Sequence, residues 1–322
     1  MLPVAFFEIV CLCAHPIPPL RCGMGWTTVL LRSFRVPELP EVETVRRGLA
    51  EHVVGRTFDF VTVHHDRTAR HTEGGRAELA GLLEGQKVTG VQRRGKFVWF
   101  TFNDGVTDGA LCLVVHLGMS GQMLIKDSRA GVSDPNHKHL RARAQLSDGN
   151  ALWFVDQRTF GYWRTDDLDG GIPASLSHIA PDLLEDATDV AALARKMKAK
   201  RVPVKVQLLD QTIVSGIGNI YADEMLWRAR INPKQNPTRL SLGALEELLT
   251  AGQEVLRDAI AQGGTSFDDL YVNVNGQSGY FDRSLNAYGQ ADTPCGRCGT
   301  PLRKIMFRGR SATFCPTCQR AR

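Results

Sequence analysis

Four cysteines near the C-terminus constrain the fold of this 322-residue chain more than any other feature. They follow the pattern C-x2-C-x16-C-x2-C, at Cys295, Cys298, Cys315 and Cys318. Each C-x2-C pair can place two thiolates on one cation, and four thiolates close a tetrahedral zinc shell with no open position. A segment this short has too little apolar core to fold without the metal. The spacing therefore predicts one structural Zn2+ within residues 291–322; iron–sulfur ligation is the alternative for the same ligands.

Basic residues are concentrated in two segments, although the net charge of the chain is only +5. The last 28 residues contain seven Arg or Lys and no Asp or Glu, and residues 196–201 read KMKAKR. Two such clusters on an otherwise balanced chain indicate a polyanionic partner. Either cluster alone would fit solvated surface charge equally well, but their combination with a metal motif favours the partner.

The composition argues against a membrane-spanning or disulfide-rich secreted protein. No uninterrupted apolar stretch approaches the ~20 residues of a membrane span. Four of the eight cysteines have metal spacing, Cys112 lies in an apolar run, and the other three precede residue 36. This distribution predicts a protein of the reducing cytoplasm that does not contact a membrane.

Residues 1–35 match neither a regular element nor a targeting signal. They contain four prolines and three cysteines, and Glu8 interrupts their only apolar run. A basic start and a small-residue cleavage site are missing. We predict that residues 1–35 are a doubtful leader and that translation starts at Val36. The alternative is a genuine extension. The difference matters because removal of Val36 would give Pro37 a free, nucleophilic secondary amine, whereas in the printed chain that nitrogen is an inert amide.

The first domain is predicted to be an antiparallel β-sandwich that follows a helix. Pro40 suits a first helical turn, and Glu41 suits the positive helix N-terminus. Short apolar runs then alternate with turn signals such as NDG at residues 103–105, which is typical of hairpins. We assign residues 36–168 to this domain and residues 169–185 to a linker.

The next segment, residues 186–290, is predicted to be helical, because its apolar residues recur at helical spacing. Its end, residues 263–290, is polar and glycine-rich and is predicted to be a loop. Earlier in the segment 186–290, Gly216 and Gly218 precede a predicted helix at residues 220–229. Their backbone N–H groups could bind a phosphate at the helix N-terminus, although such a turn is more often only a turn.

Several sequence blocks occur together and in a fixed order. They are PELPEVET at 37–44, HLGMSG at 116–121, DQRTFG at 156–161, LDQ at 209–211, GIGNIYADE at 216–224 and the cysteine quartet. In these blocks the chain resembles the bacterial formamidopyrimidine-DNA glycosylases, which are base-excision enzymes for oxidised purines. The resemblance extends from residue 36 to residue 318. It implies an α+β multidomain fold: a β-sandwich with flanking helices, a helix–two-turn–helix DNA-binding domain and a zinc-finger β-hairpin, with DNA between them.

The resemblance also implies a catalytic set. Pro37 would attack C1′ of the damaged nucleotide and form an iminium, for which an α-amino pKa near ~8 leaves a usable neutral fraction. Glu38 would act as general acid on the sugar ring oxygen, which requires a raised pKa. Lys96 matches the proton donor of β-elimination and Arg310 that of δ-elimination, and both could stabilise leaving phosphates.

Each of these assignments has a simpler alternative. Glu41 and Glu224 match supporting residues that hold the amine and a water, but Glu38 and Glu41 could be only favourable helix N-terminal charges. Lys96 could be an exposed strand end, and Arg310 could be one more phosphate contact in a basic finger.

Six further residues match DNA contacts of the family. Met119, Arg158 and Phe160 match the trio that fills the space left by the extruded base, although Met is usually core filler. The other three match contacts to the DNA backbone: His139, Lys200 and Asn219. His137 could take the place of His139.

Two departures from the family pattern concern specificity. Gln157 and Thr159 stand where Pro and a second basic residue are common, which leaves Arg158 and Phe160 intact. Residues 264–281 resemble the lesion-recognition loop, but such loops vary, so the rank order of lesions stays open.

These observations favour a DNA glycosylase and abasic-site lyase that acts on 8-oxoguanine and formamidopyrimidines through a proline Schiff base and β,δ-elimination. The enzyme alternative is the endonuclease VIII type, which favours oxidised pyrimidines. The alternative from another class is a zinc-dependent DNA-binding protein without catalysis, expected if the leader is retained. The partner is predicted to be double-stranded damaged DNA, bound by a monomer in the cytoplasm that is nucleoid-associated through DNA.

Overall fold

The computed structural model describes residues 36–102, 108–127, 129–131, 133–265, 274 and 281–321. The predicted leader therefore lies outside the described residues. So does most of the predicted lesion-recognition loop, residues 266–273 and 275–280. In the described residues no helix is both long and apolar enough to cross a membrane.

The first domain contains two antiparallel sheets and two helices. The four-stranded sheet has the order β1-β6-β7-β5 and the five-stranded sheet the order β2-β3-β4-β8-β9. The helices are α1 (Leu39–Val53) and α2 (Gly75–Leu83), and the strands are β1 (Phe58–Val63), β2 (Val88–Arg94), β3 (Phe97–Phe102), β4 (Leu111–His116), β5 (Gly121–Asp127), β6 (Leu140–Leu146), β7 (Asn150–Asp156), β8 (Tyr162–Asp169) and β9 (Ile172–Pro173). The predicted β-sandwich is confirmed.

Side chains alternate between buried and half-buried positions in β6, whereas β3 and β7 are buried along almost their whole length. In β6, Leu140, Ala142, Ala144 and Leu146 are buried while the residues between them are half-buried, the period of two that a half-buried strand requires. Residues of both sheets and of both helices, including Phe58, Phe100, Phe154 and Trp163, form one core.

The predicted linker at residues 169–185 is more structured than the sequence indicated. Strand β8 continues to Asp169 and pairs with β9. Leu176 and Ile179 then pack with Trp99 and Val114 in a second apolar cluster. Asp and Gly residues in this segment favour turns, but a segment with many turns can still bury the apolar residues that lie between them.

The helical part contains α3 (Val190–Lys198), α4 (Val204–Leu208), α5 (Asn219–Arg228) and α6 (Leu242–Ala261). Helix α5 matches the helix predicted at 220–229 to within one residue. Its buried face packs in an apolar core that also includes Leu39 from the start of α1. The beginning of the first domain is thus part of the hydrophobic core of the helical part.

The C-terminal module is a hairpin of β10 (Arg303–Phe307) and β11 (Arg310–Phe314). Arg308 (φ 50°) and Gly309 (φ 76°) form its turn, and two left-handed central residues are typical of a tight hairpin turn. Arg310 therefore begins β11 next to the turn. Trp227 of α5 packs against Cys295, Leu302 and Cys315 of this module.

Candidate active site

The N-termini of α1 and α5 meet, and Glu38 joins them. Its carboxylate accepts hydrogen bonds from the backbone N–H groups of Gly218 (2.8 Å), Ile220 (2.9 Å) and Tyr221 (3.2 Å). A helix N-terminus presents unpaired N–H groups and a positive dipole end, so a carboxylate is well placed there. A Cβ atom at Gly218 would overlap the Glu38 carboxyl group. The Gly218 N–H group, which the sequence suggested as a phosphate ligand, is therefore already hydrogen-bonded to the Glu38 carboxylate.

The Glu38 side chain is almost fully buried, with 4% of the residue exposed. Burial raises the pKa of its carboxyl; the Lys96 charge opposes this, the Glu41 charge adds to it, and the backbone hydrogen bonds oppose it, with a net rise. A carboxyl group with a raised pKa keeps its proton to higher pH, which is what a general acid needs.

Glu41 holds three parts of the chain together beside Glu38. One oxygen accepts from the Tyr221 hydroxyl (2.7 Å) and from the backbone and hydroxyl of Thr265 (both 2.8 Å). The other accepts from the backbone N–H of Glu38 at 3.0 Å. Glu41 thus fixes the peptide that directly follows Pro37, and its role toward the Pro37 amine stays a prediction.

Lys96 lies in the turn between β2 and β3. Gly95 has φ 56°, and its N–H donates to the Asp182 carboxylate at 3.1 Å. Burial lowers the pKa of the Lys96 ammonium, Arg310 lowers it further, and Glu38 and Glu41 act in the opposite direction. Two other predicted catalytic residues, Glu38 and Arg310, therefore both lie within electrostatic reach of Lys96.

A buried ion-pair network anchors the Lys96 turn. Arg93 donates to Asp182 at 2.6 Å, to Glu43 at 3.0 Å and to the carbonyl of Gly95 at 3.2 Å. Glu43 also pairs with Arg46 and Arg47 on α1. Burial would raise the pKa of Glu43, but hydrogen bonding and charge from Arg46 and the charge of Arg93 lower it from 4.5 to about 2.

Replacement of Glu43 should therefore destabilise the protein in a pH-dependent way. A pKa of about 2 rather than 4.5 corresponds to about 3 kcal/mol of unfolding free energy at pH 7, so Glu43→Gln should lower stability by about that amount. Because the folded-state pKa is depressed, this contribution is present above pH 4.5 and lost as the pH falls toward 2. Denaturant unfolding at pH 7 and pH 3 measures the difference. The exposed Glu51→Gln is the control, and an equal Glu43→Gln effect at both pH values would contradict the prediction.

Two tightly packed loops carry the predicted void-filling residues. Asp156 accepts hydrogen bonds from the Ser120 hydroxyl (2.5 Å) and from the N–H of Gly161 (2.7 Å). A Cβ at Gly118 would lie 2.6 Å from the Gly161 nitrogen, so the Met119 loop lies directly against the Phe160 loop. Phe160 is 40% exposed, and the Arg158 guanidinium lies 5.0 Å from its ring centroid. An exposed aromatic residue with a neighbouring cation suits insertion between bases.

Arg70 supports this loop and was missed by sequence reasoning. It donates to the carbonyls of Gly161 (2.8 Å) and Phe160 (2.9 Å) and lies 4.6 Å from the Tyr162 ring centroid. His116 stacks against the Tyr162 ring, and burial with the charges of Lys96 and Arg70 lowers its pKa to about 4. Arg70 lies in a segment without periodicity, so no sequence signal marked it.

The predicted backbone contacts fall in three places. Asn219 starts α5 and donates to the Ser311 hydroxyl at 3.2 Å, while its buried carboxamide oxygen has no partner among the described residues. His139 follows the loop before β6, with Nδ1 3.4 Å from a guanidinium nitrogen of Arg141. Lys200 lies just after α3 and is half-buried. No described contact tests their role toward DNA.

Glu224 contacts the segment before the C-terminal module, and its supporting role at the amine or a water stays a prediction. Its carboxylate accepts from the backbone N–H groups of Asn286 (3.0 Å), Ala287 (2.8 Å) and Tyr288 (2.8 Å). Burial raises its pKa, although the hydrogen bonds oppose the rise. In this geometry Glu224 fixes the segment that leads into the C-terminal module, and no described contact connects it with Pro37.

The cysteine quartet fits a structural zinc. The four sulfur atoms lie within 4.8 Å of one another, and four ligands at ~2.3 Å from one zinc would lie about 3.8 Å apart. The ligand set contains only sulfur, which favours a closed site. Buried Gln319 accepts from the Cys315 N–H (2.8 Å) and donates to the carbonyl of Ile231 (2.9 Å), so the metal-binding turn is also tied to the end of α5.

Comparison with known proteins gives matches over nearly the whole body of the chain. Residues 36–163 match the model of the formamidopyrimidine-DNA glycosylase N-terminal domain, residues 179–270 the H2TH domain of that enzyme, and residues 293–321 the zinc finger found in FPG and IleRS.

Whole-chain relatives agree with these domain matches. The formamidopyrimidine-DNA glycosylase of Corynebacterium efficiens is 57% identical over 89% of this chain and 100% of its own length. That of Mycobacteroides abscessus is 53% identical over 88% and 98%. Among solved structures, the Lactococcus lactis Fpg in complex with a Fapy-dG containing DNA has a TM-score of 0.76 at 32% identity and covers 88% of this chain and 100% of its own. The chain therefore belongs to the formamidopyrimidine-DNA glycosylase family.

Proposed function

We propose that this chain excises 8-oxoguanine and formamidopyrimidines from double-stranded DNA and then cleaves the abasic strand. Membership of the family makes it a DNA glycosylase of base excision repair; the substrates and the chemical steps below are our proposal. The observation that carries it is the Glu38 carboxyl, which is buried, has a raised pKa and directly follows Pro37. An acid is thus held next to the residue whose amine would be the nucleophile.

The first step joins Pro37 to the sugar. In a chain that begins at Pro37, the neutral secondary amine attacks C1′, and the bond from C1′ to the base breaks with its electron pair leaving on the base, which takes up the proton that the amine loses. The nitrogen lone pair then opens the sugar ring and forms the iminium. Glu38 donates its proton to the ring oxygen. An α-amino pKa near ~8 keeps a useful neutral fraction of the amine at pH 7.

The later steps use two cations. Once the iminium forms, the C2′ proton is acidic and its loss expels the 3′ phosphate, and a second elimination expels the 5′ phosphate. Lys96 supports the first departure, because the burial that lowers its pKa makes it an easier proton donor. Arg310, exposed at the start of β11, supports the second by placing its charge on the leaving oxygen.

DNA binding would use the surfaces that flank this cluster. Met119, Arg158 and Phe160 would fill the space of the extruded base, and His139, Lys200 and Asn219 would contact the backbone. The Lactococcus lactis enzyme, similar in fold, has been solved with Fapy-dG and with abasic-site DNA. We propose that this chain binds such DNA as a monomer in the bacterial cytoplasm and is nucleoid-associated through it. The zinc finger would hold the Arg310 hairpin in place.

Cleavage of two labelled duplexes tests the substrate assignment. Under single-turnover conditions, a protein that begins at Pro37 should process 8-oxoguanine opposite cytosine at least ~10-fold faster than thymine glycol opposite adenine, because the Met119, Arg158 and Phe160 trio matches the purine branch. An undamaged duplex of the same sequence is the control. A clear preference for thymine glycol would instead establish the endonuclease VIII type of specificity.

A further inference from the structure

A buried ion pair lies where α4, α5 and the C-terminal hairpin meet. The Lys205 ammonium lies 2.6 Å from the Asp223 carboxylate, and their side chains are 2% and 1% exposed. Burial raises the pKa of Asp223 to about 6 despite the opposing charge of Lys205. Removal of two charges from water costs several kcal/mol, and a well-packed apolar pair is often as stable or more stable. Stability alone is therefore a weak explanation for this pair.

Both members of the pair bind the hairpin immediately after Arg310. Lys205 Nζ donates to the carbonyl of Ser311 at 2.6 Å, and the N–H of Thr313 donates to Asp223 at 2.9 Å. Asn219, one helical turn before Asp223 on α5, donates to the Ser311 hydroxyl. These bonds are directional, so they fix the position of β11 along α5 as well as the contact itself.

The same helix holds the acid of the proposed site. Glu38 is bound at the N-terminus of α5, and its charge acts on Lys205, as does the charge of Arg310. An open cavity of about 320 Å3 separates α4 from the hairpin tip, and Lys205, Phe307, Arg308 and Arg310 line part of it. Beside this cavity, the bonds at Ser311 and Thr313 connect the start of β11 to α4 and α5 and so place Arg310 relative to the helix that binds Glu38.

We propose that Lys205 and Asp223 are positioning residues that hold the start of β11 so that Arg310 reaches the 5′ phosphate during the second elimination. The inference rests on the proposed function, in particular on Arg310. In that step a proton leaves C4′, the C5′–O bond breaks, and the electron pair leaves with the phosphate oxygen, on which Arg310 places its charge. Loss of the pair should stop the reaction after the first elimination.

The ratio of the two products tests this. A duplex with one abasic site, labelled at its 5′ end, gives a 3′ unsaturated aldehyde after β-elimination alone and a 3′ phosphate after both steps, which a denaturing gel separates. Asp223→Asn should raise the proportion of the aldehyde end at least ~5-fold. The rate of borohydride trapping should change less than ~3-fold, and one zinc per chain should be retained. Lys205→Arg keeps the positive charge and the N–H donors, so its proportion of aldehyde ends should stay close to that of the unmodified protein.

Controls separate positioning from general destabilisation. Asp148→Asn makes the same chemical change in the exposed Arg56–Asp148 pair of the first domain and should leave the ratio unchanged. Lys205→Met/Asp223→Leu leaves no buried charge, so it should fold even where Asp223→Asn does not, and it should show the same rise in aldehyde ends. A proportional fall of trapping and of both products at a constant ratio would mean that the pair only stabilises the module, and the inference would be wrong.

Arg310→Gln distinguishes this inference from the proposed function. If Arg310→Gln raises the aldehyde ends and the Asp223 and Lys205 variants do not, the inference fails while the role of Arg310 stands. If Arg310→Gln leaves the ratio unchanged, both the role of Arg310 and the inference are wrong.

Discussion

A protein that begins at Pro37 should form a borohydride-trapped adduct with 8-oxoguanine DNA, and the full 322-residue chain should not. The expected rate difference is on the order of 10^4 or more, the scale on which removal of a nucleophile slows an enzyme. The reason is chemical: in the longer chain the Pro37 nitrogen is an amide, and its lone pair is not available for attack on C1′. Single-turnover excision and trapping of both forms measure the difference.

The two forms should otherwise behave alike, which makes the comparison specific. Both should contain one zinc and bind duplex DNA with a steep dependence on salt, since phosphate contacts dominate such affinity. Acetylation of the free Pro37 amine should abolish trapping without loss of zinc. Equal trapping by the long form would identify a lysine as the nucleophile and remove Pro37 from the mechanism.

Glu38→Gln is expected to slow base excision by about 10^2 to 10^4, the usual contribution of a general acid. Both Glu38 oxygens accept hydrogen bonds from N–H groups of α5. The NH2 group of Gln would therefore face one of these donors, which would also cost about 1–3 kcal/mol of stability. The activity loss should exceed what this instability explains, because the variant has no proton to give. Excision rates, measured below the unfolding temperature of each protein, test this.

The pH dependence provides a second readout for Glu38. The raised pKa of its carboxyl predicts that excision falls as the pH rises through that pKa, because the acid is then ionised. Glu38→Gln should lack this alkaline limb. Glu51→Gln, on the exposed side of α1, should retain both the rate and the profile. An unchanged excision rate in a folded Glu38→Gln protein would show that another group supplies the proton.

The sequence predicted those parts of the site that local pattern or motif spacing encodes. The zinc ligands could be predicted because C-x2-C spacing is itself the geometry of two thiolates on one ion, and the β-sandwich because short apolar runs are separated by hairpin turn signals. Glu38 and Lys96 were identified by their match to the family, and in the structure the charges of Glu38 and Arg310 both act on Lys96.

The partners of these residues could not be predicted, because they depend on contacts between distant segments. Asp182 lies in what looked like a linker, yet it binds Arg93 and the Lys96 turn. Glu224 was matched to a support of the amine or a water, which stays a prediction, but its hydrogen bonds to the backbone of residues 286–288 could not be predicted from the sequence. Buried charges such as Lys205 have no periodicity, and in the sequence Lys205 could only be read as a continuation of a basic run.

Helix α5 connects the proposed acid, the Arg310 hairpin and the metal module: its first residues bind Glu38, Asp223 binds the hairpin, and Trp227 packs against the module. Exchange of C-terminal fingers between related enzymes should therefore succeed only when the donor's version of this ten-residue helix is transplanted too. A graft that begins at residue 291 would bring the zinc ligands, but the module would then pack against an α5 whose side chains do not match it. The smallest interchangeable unit of this protein is larger than its recognisable motif.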